Sequence, residues 1–272
     1  MPPIEEALLL ILAGVLIGSY SVSIGAGGGF LIAPLLLLRY PEAEPEAITT
    51  ASLTAVVITS VASSAIVIPE RRVDMPVALA IAGIAAPAGI LGALGTVAIP
   101  RAVFAIGFAV LLVALALYII LRPTSPDPPP DADGVDRHLE DRDANHFNYR
   151  IPIRRSIAPN AAMAFLSALA GIGGGPIGVP IMTRIMRIPH AIAVPTIQVK
   201  TAIYSAIVVL FHLALDHAGE PMADVPFLGL GVIIANPFGQ RLRRRLGEGP
   251  LMQALAFGLF LVAARTAFSA FE

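Results

Sequence analysis

Along this chain polar and apolar positions do not alternate; they come in blocks. Apolar runs of spanning length occupy residues 48–69, 77–98, 102–122, 191–215 and 250–270, with a shorter run at 225–239, and the charges fall in brief breaks between them. Runs of about twenty apolar residues are long enough to cross a bilayer as helices. Helices rather than strands are predicted, because a lipid-facing backbone must satisfy its own hydrogen bonds and the alternation of a barrel strand is missing. Two further stretches, 5–38 and 157–186, are too long for one crossing at about 1.5 Å per residue. Each is cut by glycines, as SIGAGGGFLIAP from Ser23 and as LAGIGGGPIGVP from Leu169.

The blocks repeat. Each half of the chain runs glycine-broken segment, loop, span, acidic-ended loop (VDMP at 73–76, ADVP at 223–226), span, short loop, span. The first repeat covers residues 1–122 and the second 156–272, with a hydrophilic linker at 123–155 between them. Loop charges decide how the copies are related, since basic loops stay on the cytoplasmic side. Loop 39–47 is acidic while its counterpart 184–190 holds Arg184, Arg187 and His190; loop 70–74 holds Arg71 and Arg72 while its counterpart 216–224 is acidic. The third pair agrees, with Arg101 alone against Arg241, Arg243, Arg244 and Arg245. With the basic loops and the linker inside, both termini fall outside, and each glycine-broken segment leaves by the face it entered. The predicted architecture is therefore an all-α polytopic membrane protein of two inverted-topology repeats, each a re-entrant helical hairpin plus three transmembrane helices.

A re-entrant hairpin turns at membrane depth, where irregular backbone is tolerated only inside protein or along a wet cavity. Gly25, Gly27, Gly28 and Gly29, and in the second copy Gly171, Gly173, Gly174 and Gly175, permit positive φ and close approach of a neighbouring backbone or ligand. A half-helix then begins near Phe30 and near Pro176, and its first N–H groups and positive dipole end suit an anion. Close helix packing by small residues is the alternative use of such glycines. A nucleotide-phosphate loop is a weaker reading, because GAGGGF lacks the Gly-Lys-Ser/Thr ending of a P-loop and the sixth glycine of GxGxxG, and neither copy follows a strand.

Composition narrows the rest. At 56% hydrophobic and 14% charged residues, with a net charge of −1, the chain has no basic surface for nucleic acid. Cysteine is absent, which removes disulfides, thiolate metal sites and a cysteine nucleophile. The five histidines lie in loops, the linker or span ends, so neither a metal site, a cofactor site nor a catalytic cluster is predicted, and the chain does not read as an enzyme. Glu5 and Glu6 stand where a signal peptide would carry Lys or Arg, so no cleaved leader is read. The linker, rich in proline and charge, reads as a flexible aqueous tether, with a regulatory or metal-binding loop around His138 and His146 as the alternative.

The doubled motif GAGGGFLIAP and GIGGGPIGVP, the following AITTAS and AVPTIQ, the acidic loop after each second segment and the glycine-rich third segment ending ALG or NPFG resemble the TauE/SafE sulfite exporter family. The resemblance spans nearly the whole chain apart from the linker. It implies a multi-pass protein of the cytoplasmic membrane that exports or takes up small sulfur-containing anions such as sulfite, thiosulfate or organosulfonates. A transporter of another small anion and a non-transporting partner subunit are the alternatives. Ala26 in the first copy and Pro176 in the second depart from the family's commoner GIGGGF.

Lys200 is the only lysine, and it lies mid-span in HAIAVPTIQVKTAIYSAIVVLF. An ammonium at that depth costs about 3 kcal/mol even on lenient insertion scales and marks a functional position. Thr196, Lys200 and Tyr204 fall on one helical face, flanked by Gln198 and Thr201. The other half offers Thr50, Ser52 and Thr54 at the equivalent place, without a charge. The predicted substrate site joins both glycine loops and Phe30 to Ser52, Thr54, Thr196, Gln198 and Lys200. A structural use of Lys200, pairing with a loop carboxylate or capping a broken helix near Pro195, is the alternative. Asn236 and Gln240 line the cavity or bond between helices. Asp74 and Asp224 read as helix caps ahead of Pro76 and Pro226, with proton coupling as their other role.

The inverted topology makes a sided prediction. Single cysteines introduced at Ala43 and Gly219 will react with an impermeant thiol reagent from outside, and one at Ala132 only from inside. Opposite accessibility of positions 43 and 219 would indicate parallel repeats.

Overall fold

A computed structural model describes residues 3–24, 28–121, 134–245 and 248–269. The chain is mostly helical. In order, α1 is Ile4–Ile24, α2 Gly29–Arg39, α3 Pro45–Val67, α4 Met75–Val97 and α5 Arg101–Leu121. A hairpin of β1 (Gly134–Glu140) and β2 (His146–Pro152) leads into α6 (Ile153–Leu169), α7 (Gly175–Pro180), α8 (His190–Ala214), α9 (Val225–Arg245) and α10 (Glu248–Ser269). Five of these, α1, α3, α4, α5 and α8, are long and apolar enough to cross a membrane. The apolar run 225–239 continues as helix through the arginines to Arg245, where cationic side chains favour a helix C-terminus.

Helix packing treats the two halves alike. α1 lies on α9 as α6 lies on α4; α3 lies on α9 as α8 lies on α4; α2 meets α3 and α10 as α7 meets α8 and α5. α3 packs on α8 and α5 on α10, so each of these pairs is its own counterpart. α1 crosses close on α9, where a β-carbon at Gly14 would stand 2.3 Å from the Leu228 carbonyl oxygen and one at Gly231 2.1 Å from that of Ile11. Only hydrogen at these positions lets the backbones meet, the small-residue packing that association in lipid favours.

Both glycine-broken segments bring their ends together. Arg39, the last residue of α2, pairs with Glu6 in the first turn of α1 at 2.6 Å. Asn160 of α6 reaches the Met186 sulfur beyond α7 at 3.5 Å. Pro180 closes α7, and the chain widens into a π turn over Ile181–Ile185 before α8.

The linker differs from the flexible tether predicted for it. Residues 134–152 form an antiparallel hairpin whose apolar positions Phe147, Tyr149 and Ile151 alternate with polar ones. It docks on the loop between α3 and α4: Arg72 pairs with Asp141 at 2.8 Å, and the Arg142 N–H donates to the Glu70 carbonyl. Arg137 and Tyr149, opposite each other across the strands, both reach Asp74. His138 and His146 sit on the exposed side of the strands, His138 beside Asn148 and His146 beside Glu140. Residues 122–133, the rest of the proline-rich stretch, lie outside the described residues.

Asp141 organises the hairpin turn by accepting from the side chain of Asn145 and the N–H groups of Asp143 and Asn145. These bonds and Arg72 hold its pKa down to about 2. A carboxylate with a lowered folded-state value stabilises above its ordinary pKa and loses that contribution as pH falls through about 2. The hairpin will therefore stay docked from neutral pH down to about 4 and loosen below it. At neutral pH, Asp141→Asn will raise tryptic cleavage after Arg142 at least tenfold, as read by limited proteolysis in detergent, without altering the spans.

Candidate functional site

The start of α2 meets the second glycine loop inside the helical body. Gly28 and Gly174 precede α2 and α7 in the left-handed conformation, each at φ 85°, and Gly171 and Gly173 also have positive φ. Gly29 and Gly175 instead take helical angles as the first residues of their helices. Gly25 and Gly27 lie outside the described residues. At Gly29 space is the constraint, since a β-carbon there would stand 2.4 Å from the Ile172 carbonyl oxygen of the other loop and 2.7 Å from Val56. Ser52 of α3 ties the second loop to the start of α2: its hydroxyl lies 2.8 Å from the Gly171 carbonyl oxygen and 3.3 Å from that of Gly29. Phe30 is fully buried and packs against Tyr20.

Lys200 stands at the second loop. It is 0% exposed, and its Nζ lies 3.8 Å from the Met163 sulfur and 4.4 Å from the centre of the Tyr204 ring. Tyr204 is held by a 2.6 Å hydrogen bond from its hydroxyl to the Ala164 carbonyl. Among the described residues no carboxylate comes within ion-pair distance of the ammonium. A cation–π contact and a thioether do not replace the hydration of an ammonium, and an unpaired buried charge costs several kcal/mol. A β-carbon at Gly174 would stand 3.0 Å from Nζ, 3.5 Å from the Met163 sulfur and 3.6 Å from Ser167 Oγ. The Ser167 hydroxyl is buried and without a hydrogen-bond partner. The Lys200 nitrogen, the free hydroxyl and the Met163 sulfur thus surround the position that a side chain at Gly174 would take.

The first copy has the same frame with different chemistry. A constant offset relates Gly28 to Gly174, Ser21 to Ser167, Ile17 to Met163 and Thr54 to Lys200. A β-carbon at Gly28 would lie 3.8 Å from Ser21 Oγ and 3.8 Å from Ile17, and the Ser21 hydroxyl is again buried and unpartnered. Ser21 and Ser167 were not among the residues predicted from sequence; their signal is the matched spacing ahead of each loop's third glycine. The half-helices differ too. α2 runs over 11 residues, whereas α7 has 6 and carries Pro176, which has no N–H, in its first turn.

The other predicted residues are turned to neighbours. Thr54 donates to the Thr50 carbonyl within α3. Thr196 accepts the Asp74 N–H at 3.0 Å. Gln198 accepts from Gln240 at 3.4 Å, and Gln240 accepts from Arg243 at 3.0 Å. Asn236 bridges to Ser63 Oγ and the Thr59 carbonyl. Among the described residues no group of three or more metal-binding side chains occurs.

A polytopic helical body whose broken helices converge beside a buried cation has the build of a membrane transporter. The chain belongs to the sulfite exporter TauE/SafE family, whose sequence profile matches residues 10–266. It is also 22% identical over 263 residues to the "Probable membrane transporter protein YunE" of Bacillus subtilis (strain 168), covering 94% of this chain and 95% of that one. No solved structure matches it.

The meeting of α2 with the second loop can be tested by adding one methyl group. Gly29→Ala will lower the melting temperature in detergent by several degrees, because its new carbon collides with backbone and costs about 1–3 kcal/mol. Gly107→Ala, at a helical position with no atoms within 4 Å of the added carbon, will be neutral or slightly stabilising.

Proposed function

We propose that this protein is a secondary transporter that moves a small sulfur-containing oxyanion across the cytoplasmic membrane by alternating access. The anion binds at the glycine loops, between Lys200, the hydroxyls of Ser167 and Ser21, and the first N–H groups of the half-helices. The observation that carries this reading is the Lys200 side-chain nitrogen, wholly buried, without a carboxylate partner among the described residues and near an unsatisfied hydroxyl. An oxyanion supplies what both lack: a negative charge for the ammonium and acceptors for the hydroxyl hydrogens.

Sulfur as the central atom is implied by the family, whose description names sulfite. The relative's name supports transport in general. Tetrahedral or pyramidal oxyanions suit a site built from several donors around one small space, whereas a halide would leave most of them unused.

Inverted repeats fit the packing, because exchanging α1–α5 with α6–α10 maps the main helix contacts onto one another. Re-entrant hairpins fit the ends of the broken segments, which return to contact in both copies. On this reading the linker hairpin is cytoplasmic and both termini are outside. Substrate would reach Lys200 from either face by rearrangement of one half against the other about the α3–α8 and α5–α10 contacts.

Lys200→Met will remain folded in detergent while sulfite or thiosulfate flux into proteoliposomes falls at least tenfold, equivalent to about 1.4 kcal/mol or more. The wild type will be stabilised by these anions more than by chloride. Gly174→Val will lose that stabilisation, since a branched side chain opposes φ 85° and fills the space before the ammonium. Full flux through folded Lys200→Met would remove Lys200 from the site.

A further inference from the structure

Asp74 and Asp224 precede α4 and α9, and each carboxylate is buried, at 1% residue exposure. They lie at opposite ends of α3. Gly219, in the segment leading to Asp224, abuts Ala47 in the first turn of α3, while Asp74 follows the loop that leaves its last turn. With 23 residues α3 is about 34 Å long. The two carboxylates therefore mark the two ends of the molecule, with the Lys200 site between them.

Each has an arginine bonded to it and a tyrosine beside it, although Arg39 at Asp224 also pairs with Glu6. The Asp74 carboxylate accepts two hydrogen bonds from Arg137, at 2.6 and 2.8 Å, and one from the Tyr149 hydroxyl at 2.6 Å. Asp224 accepts from Arg39 Nε at 2.6 Å, and the Tyr40 side chain lies beside both Asp224 and Arg39. The two Arg–Tyr pairs do not occupy matching positions. Arg39 and Tyr40 end the first half-helix, and the positions matching them in the second copy are Ile185 and Met186, which cannot pair with a carboxylate. There the linker hairpin supplies Arg137 and Tyr149 instead. Two unrelated segments thus build one chemical cluster at the two ends of the protein.

We infer that these clusters are the two gates of the transport cycle, Asp74 with Arg137 and Tyr149 closing the hairpin end and Asp224 with Arg39 and Tyr40 the other. With both shut the site between is occluded, as the 0% exposure of Lys200 requires. Each gate is tied to the site. Arg39 terminates α2, whose other end begins at the glycine loop, so displacement of that half-helix breaks its own latch. At the hairpin end, the Asp74 N–H donates to Thr196, one turn from Lys200 on α8. The hairpin is then a gating element, and its hold on Arg72 and Glu70 sets how firmly that end stays shut. This deepens the proposed transport reading but needs no assumption about which anion is carried.

Because the chain lacks cysteine, a single Ser167→Cys reports access to the site through its rate of modification by a charged, impermeant thiol reagent added to one face of sealed vesicles. His146→Cys, in the exposed part of the hairpin, identifies that face in parallel samples. Added to Ser167→Cys, the pair Arg137→Gln and Tyr149→Phe will speed modification at least tenfold from the hairpin face and leave the opposite face unchanged. The pair Arg39→Gln and Tyr40→Phe will do the reverse. Gel filtration and the melting temperature verify that each variant is folded. Acceleration from both faces alike, from the wrong face, or from neither in folded protein would overturn the gates and leave the clusters as structural ties. None of these outcomes depends on flux, so failure of the anion site, read by Lys200→Met, and failure of the gates are seen separately.

Discussion

Backbone that leaves regular helix inside a protein surrounded by lipid must find partners within the protein, and this requirement governs the centre of the molecule. The second glycine loop does so here through its own helix end, where the Ser167 carbonyl accepts the Ile172 N–H, and through the Ser52 hydroxyl. The Ser52 hydroxyl lies between the Gly171 and Gly29 carbonyls, and Gly29 lies so close to the Ile172 carbonyl that no side chain fits. The helices around them follow: α3 must run past this loop and the start of α2 to offer Ser52, and α8 must pass the loop to bring Lys200 against Gly174. The close backbone crossing of α1 on α9 and that of α6 on α4 then hold the two glycine-broken segments in place. Removing Ser52 would leave the buried Gly171 carbonyl without this donor, and an unmade bond at a buried acceptor costs more than the bond itself contributes.

Much of this was legible in the sequence because lipid simplifies the code. Spans appear as unbroken apolar runs, so α3, α4, α5 and α8 fall within a few residues of the boundaries read from hydropathy. The glycine loops announce themselves by repetition, and a lone lysine in mid-span can be noticed without any structure. Side-chain partners were not legible. Thr196 and Gln198 share α8 with Lys200, yet their contacts are with Asp74 and Gln240, residues distant in sequence. Periodicity gives the direction in which a side chain leaves its helix, but not which of several neighbouring helices stands there.

The hairpin was missed for a different reason. Its strands carry a period-two pattern, with Phe147, Tyr149 and Ile151 alternating with Asn148 and Arg150, which by itself signals a strand. Pooled with the neighbouring proline-rich residues, the segment has the composition of a solvated tether, and composition outweighed the local pattern. Ser21 and Ser167 were missed because a serine in an apolar helix usually spends its hydroxyl on the carbonyl one turn back, as Ser64 does here. Only the structure shows that these two do not.

The two copies share a frame but divide the electrostatic work. α2 is long enough to present an aligned set of peptide dipoles, and Thr54 occupies the place of Lys200 and turns its hydroxyl back into its own helix. α7 is about one and a half turns long, lacks an N–H at Pro176 and passes into a π turn, so its dipole is weak. Lys200 stands beside that weaker terminus. On the proposed reading, an anion between the loops would meet a full charge on one side and dipoles with a hydroxyl on the other. A pair of identical termini would give a symmetric but shallow well, whereas one ammonium deepens it on one side only. A bound oxyanion would then sit nearer the second copy, and its release would depend chiefly on how α8 moves relative to the Gly174 loop.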